Sequence, residues 1–88
     1  MPPRDALRDP PVPARPLSPR QLAVARLCGQ GRTYAEIAAA LGIKRHTVRH
    51  HVKTLGVLLS GTAEARIRAT IYGARLLALE EAEHREAA

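Results

Sequence analysis

The stretch TYAEIAAALGIKRHTVRHHVKTL, residues 33–55, decides how this chain folds. Apolar residues recur at helical intervals on both sides of a single glycine, which predicts two helices joined by a tight turn. Ala38, Gly42 and Val48 stand four and six residues apart. A helix-turn-helix needs that order: a small residue where the helices touch, a residue that reverses the backbone, and an apolar side chain filling the angle between them.

The second of these helices is predicted to run from about residue 45 to residue 58. Val48, Val52, Leu55 and Leu59 repeat at four, three and four residues and define its core face. Arg45, His46, Arg49, His50 and Lys53 follow the same spacing on the opposite side and form one continuous stripe. A merely solvated face would mix signs, but Lys44, Arg45, Arg49 and Lys53 fall within ten residues that hold no acid. The stripe therefore points to a polyanion, with nucleic acid first and an anionic membrane surface second.

An α-helix fits the major groove of DNA, where each base pair presents a distinct set of donors, acceptors and methyl groups. Arg49 suits a bidentate contact to guanine, Lys53 a guanine or a phosphate, and His50 a base acceptor or a phosphate. Arg45 and His46, nearer the helix start, reach either bases or backbone. The preceding helix would cross the backbone, with Thr33, Tyr34 and its first amides near phosphate oxygens. Two roles are open to Tyr34, packing and a hydroxyl contact to phosphate, and packing is the simpler.

Outward from this centre, Thr33 with Glu36 forms a capping box, and Ile37, Ala38 and Leu41 face inward. A second box lies at Ser18 and Gln21, with Pro19 at the first helical position and Leu17 and Leu22 placed as a staple. Leu22, Ala25 or Arg26, and Cys28 follow at helical spacing, and Gly29 with Gly31 stops the helix. Cys28 has no recognisable acid–base partner and reads as a core residue.

After Gly56 and residues 60–62, a last helix is predicted over about 62–83. Ala65, Ala69, Tyr72, Leu76 and Leu79 step by four, three, four and three, a heptad-like seam predicted to pair two copies of the chain rather than only close its core. The acidic end, EEAEHREAA, is a solvated helix terminus.

Residues 1–16 hold six of the seven prolines, together with Arg4, Arg8, Arg15, Asp5 and Asp9. Proline removes amide donors and disfavours helix in the residue before it, so this is predicted to be a disordered arm, a tail rather than a minor-groove reader. The remaining ~70 residues form one small domain whose core is marginal. Without Trp or Phe, that core must come from Leu, Ile, Val and Ala, which favours a binding protein steadied by its partner. The predicted class is all-α: a compact four-helix domain, residues 17–88, containing the helix-turn-helix, with a disordered Pro-rich arm before it and a long C-terminal helix.

The formal charge is +6 and the sequence pI near 10.7. A single cysteine excludes a disulfide framework and a cysteine zinc cluster and fits a reducing compartment. No run approaches the roughly 18 apolar residues of a membrane span, and the Pro/Arg/Asp-rich start is unlike a signal peptide. A soluble, cytoplasmic protein without cofactor is expected. His46 and His50 have the spacing of metal ligands but no carboxylate beside them, and they lie in a cationic stripe, so neither a metal site nor an enzyme is expected.

LSPRQLAVARLCGQG, then YAEIAAALGI, then HTVRHHVKTL resembles the LuxR/NarL (GerE-type) helix-turn-helix domain of bacterial transcription regulators, over residues 17–59. The resemblance implies a four-helix domain whose third helix enters the major groove and whose fourth mediates dimerisation. It places base-reading positions at Arg49, His50 and Lys53, with Thr47 in the same motif, and implies a sequence-specific regulator of transcription, bacterial or from a phage. Lys44 stands where the family usually has a Ser or Thr cap, and the usual pattern after Leu59 is degraded. No receiver or ligand-sensing segment accompanies the module, so a standalone domain is expected. TYAEIAAALGI also resembles region 4 of sigma factors. The alternative is thus a small adaptor that binds RNA polymerase or another regulator through its C-terminal helix.

Overall fold

The computed structural model describes residues 10–87, and among these it is all-helical. Four helices follow in order: α1 (Pro19–Gly29), α2 (Tyr34–Leu41), α3 (Arg45–Leu58) and α4 (Ala65–Ala87). None of them is long and apolar enough to cross a membrane.

Both expected capping boxes form. The Ser18 hydroxyl accepts from the Gln21 amide at 3.1 Å while the Gln21 side chain accepts from the Ser18 amide at 2.8 Å. Thr33 and Glu36 repeat the arrangement at 3.1 and 2.9 Å. Each satisfies amides that a helix start leaves without partners. In α1, however, Val24 joins Ala25 and Cys28 in the fully buried set, while Arg26 turns to the edge and pairs with Glu80 of α4 at 2.7 Å.

Gly29 does more than end α1. A Cβ at Gly29 would overlap the backbone at Gly73 and Ala74, and a Cβ at Gly73 would overlap the Ala25 carbonyl group. The two helices thus cross backbone against backbone, a contact open only to residues without side chains. The crossing sits beside the core of Val24, Ala25, Cys28, Ile37, Val48, Val52, Leu55 and Ala69. It also assigns the heptad-like seam of α4: Ala69 is fully buried, and Ala65, Tyr72 and Leu76 pack half-buried against the chain's own core. Of the five seam residues only Leu79 is mainly exposed, at 54 %. A heptad-like repeat is equally what a helix closing a monomer requires, which is why the pattern alone did not separate the two uses.

The last helix starts at Ala65 rather than near residue 62 and runs on to Ala87. Its final turns carry the i, i+4 pair Glu81–Arg85 at 2.9 Å. Near its start, Arg68 reaches back to the end of α3. Its guanidinium donates to the carbonyls of Gly56 (2.7 Å), Leu59 (2.6 Å) and Ala63 (2.6 Å). The first two are groups left without intrahelical partners where α3 stops, and the third lies in the connection to α4.

The same helix end holds part of the arm. The Ala14 amide donates to the Leu58 carbonyl at 2.9 Å, the Ser60 amide to the Val12 carbonyl at 3.0 Å, and the Val12 amide to the Ser60 hydroxyl at 3.0 Å. Pro13 and Leu59 form an isolated antiparallel bridge. The expected disorder of the whole arm is therefore corrected for residues 10–14. Val12 and Ala14, on either side of Pro13, supply the donors that the proline lacks, and the chain leaving α3 needs partners. Of the remainder of the arm, residues 1–9 lie outside the described residues.

Two stability outcomes follow from these contacts. Gly73→Ala should cost about 3 kcal/mol or more, because backbone faces backbone and no side chain can move aside. Arg68→Met, which keeps the stem and removes the donors, should cost about 2–3 kcal/mol. Urea unfolding followed by far-UV circular dichroism measures both.

Candidate nucleic-acid interface

The turn between α2 and α3 is built as the sequence implies. Gly42 takes the left-handed conformation at φ 66°, and the amides of Gly42 and Ile43 both donate to the Ala38 carbonyl. Ala38 (8 % exposed) and Val48 (0 %) fill the angle between the two helices. Lys44 takes the N-cap position of α3 and makes no side-chain cap, as its residue type requires.

Val48, Val52, Leu55 and Leu59 are buried, which fixes the roll of α3. Arg45, His46, Arg49, His50 and Lys53 consequently all point to solvent, and Thr47 is half-buried beside them. Among the described residues, the ion pairs are Arg26–Glu80, Arg32–Glu36 and Arg85–Glu81, so no cation of α3 has an acidic partner. The sequence contains no Asp or Glu between Glu36 and Glu64. The exposed face of α3 is thus a strip of uncompensated positive charge and hydrogen-bond donors.

Thr33 and Tyr34 lie at the start of α2 with different tasks. The Thr33 hydroxyl is engaged in its cap, and the same cap holds the Glu36 carboxyl below its usual range, chiefly through the Thr33 amide. The Tyr34 ring is half-buried against the core. The guanidinium carbons of Arg66 and Arg49 lie 5.0 and 6.0 Å from its centroid. Arg66 and Arg32 were not singled out by the sequence reading. Arg66 stands 17 positions beyond Arg49 in the chain, and no spacing rule joins the two.

His51 follows the stripe in sequence and departs from it in space. It is half-buried, and its pKa is lowered by burial first and then by the positive charges of His50 and Arg20. Arg20 itself donates to the Leu41 carbonyl at 3.4 Å, beside the turn. His51 therefore belongs to the support of α3. Cys28 is fully buried and its pKa is raised, mainly by burial, as suits an inert core thiol.

A solvent-facing, acid-free second helix on a two-helix corner defines a helix-turn-helix of the DNA-binding class. Residues 15–56 match the model of the GerE family, described as bacterial regulatory proteins of the luxR family. This segment, which holds α1, the turn and nearly all of α3, is a luxR-family helix-turn-helix domain. No curated protein and no solved structure matches the chain.

The displaced His51 has a measurable consequence. Its folded-state pKa lies below that of the unfolded chain, so the unfolded chain binds more protons as pH falls through the ordinary histidine range. Stability should be complete above about pH 6.5 and decline below it. His51→Gln should reduce the decline between about pH 7 and pH 5, read from thermal unfolding midpoints.

Proposed function

We propose that this protein is a sequence-specific regulator of transcription that places α3 in the major groove of double-stranded DNA. The observation that carries the reading is the exposed stripe Arg45, His46, Arg49, His50 and Lys53, without an acid, on the second helix of the motif. Arg49 and His50 contact base edges, Lys53 a base or a phosphate, and Arg45, His46 and Thr47 complete the contacts near the helix start. Thr33 holds the start of α2, whose amides face the backbone. The domain acts by binding, not by catalysis, and uses no cofactor.

The same reading includes a homodimer formed through α4. With most of the seam turned to the core, the second copy meets the outward face instead. Ile67, Ile71, Ala74 and Ala78 recur there at four, three and four residues. Ile67 and Ile71 are half-buried, and Ala74 and Ala78 are exposed. A two-fold repeat in the preferred DNA site and a solution mass of two chains are the expected outcomes, and Ile71→Glu should return the mass to that of one chain.

Selection of bound sequences from random duplex DNA tests the main reading. On the preferred site, Arg49→Ala is expected to lose about 1–3 kcal/mol and to relax base preference, whereas Lys53→Ala, if it meets a phosphate, should weaken all sequences alike. Unchanged binding and unchanged salt dependence in both variants would overturn the proposal. Capture of RNA polymerase with no duplex binding at low salt would favour the adaptor instead.

A further inference from the structure

We propose that Arg66 of α4, stacked on Tyr34, binds one backbone phosphate of the duplex that receives α3. The inference rests on the DNA-binding reading above and adds to it a contact from a helix outside the helix-turn-helix.

Two guanidinium groups, one from α3 and one from α4, converge on the Tyr34 ring. Arg66 Nη2 donates to the Arg32 carbonyl at 2.6 Å, which ties the start of α4 to the residue preceding the cap of α2. Arg66 and Arg49 share the Tyr34 ring, at 5.0 and 6.0 Å. Arg32 approaches Glu36 at only 3.7 Å, and the other oxygen of that carboxylate already accepts from the Thr33 amide. Glu36 is thus engaged by Arg32 and by its own cap, and neither guanidinium on the Tyr34 ring has an ion-pair partner among the described residues.

Among the described residues, the Arg66 guanidinium makes that one hydrogen bond and no ion pair. Stacking a guanidinium on a ring fixes its plane and leaves its N–H edge free for a tetrahedral oxyanion. Two guanidiniums on one ring repel each other, and a bound phosphate relieves the repulsion. Arg49 belongs to the exposed stripe of α3, so the anion lies at the margin of the surface facing the groove. A phosphodiester of the duplex occupies that place when the helix is inserted.

The test uses the full chain and a mixed-sequence duplex, with affinity followed by fluorescence anisotropy over a series of salt concentrations. Arg66→Met keeps the stem against Tyr34 and removes the charge. It should bind about tenfold more weakly at low salt, with the slope of log K against log salt reduced by about 0.9. Arg66→Lys should retain the slope. Arg75→Met, on α4 beside residues 10–13, serves as the comparison for general charge loss. Helical circular dichroism at the assay temperature establishes that each variant is folded. If Arg66→Met fails to fold, Arg66→Lys with Tyr34→Leu takes its place, and a loss of affinity without loss of slope is then expected.

A wild-type slope in folded Arg66→Met, or an equal fall in Arg75→Met, overturns the inference while leaving the DNA-binding reading intact. If the wild-type chain binds no duplex, that reading fails first. Binding of inorganic phosphate to the wild type that is lost in Arg66→Met, together with a wild-type duplex slope in that variant, would assign the site to free phosphate and overturn the backbone contact.

Discussion

The crossing of α1 and α4 at Gly29 and Gly73 is the constraint on which the rest of this domain depends. Neither glycine can carry a Cβ without striking the other helix's backbone. Close approach at that point leaves little freedom in how α4 lies across the molecule, and the reach of two α4 arginines follows from it. Arg68 stands about one turn before Gly73 and reaches the end of α3, while Arg66 stands about two turns before it and reaches Tyr34. A helix that looks like an appendage to the motif thereby reaches both the end of α3 and the start of α2.

The carbonyl groups at the end of α3 show how economically that surface is supported. Arg68 takes those of Gly56 and Leu59, and Ala14 takes that of Leu58. Elements from both termini of the domain meet at one helix end. The apolar face of α3 fixes its roll, and these polar contacts hold its C-terminal end. The stripe is thus presented on a support built largely from groups outside residues 33–55.

Electrostatics work in the opposite direction. From residue 37 to residue 63 the chain has no carboxylate, so the exposed cations of α3 repel one another in the free domain. A core without Trp or Phe gives only modest stability to set against that repulsion. A polyanion would relieve it and stabilise the folded state by mass action. In such a domain the binding surface and the weakest part of the stability balance coincide.

The sequence by itself determined the local elements. Ser18–Gln21 and Thr33–Glu36 specify helix starts, Gly42 a left-handed stop, and the spacing of Val48, Val52, Leu55 and Leu59 the roll of α3. Each depends on residues within about two helical turns, where geometry follows from periodicity. The exposed stripe was legible for the same reason, since it is the complement of the core face. Only the tertiary structure decided that the seam of α4 faces inward, that Gly73 is a crossing point, that residues 10–14 are held, and that Arg66 meets Tyr34. Those contacts join residues far apart in the chain, and a heptad-like spacing has the same form whether its partner is the chain's own core or a second copy.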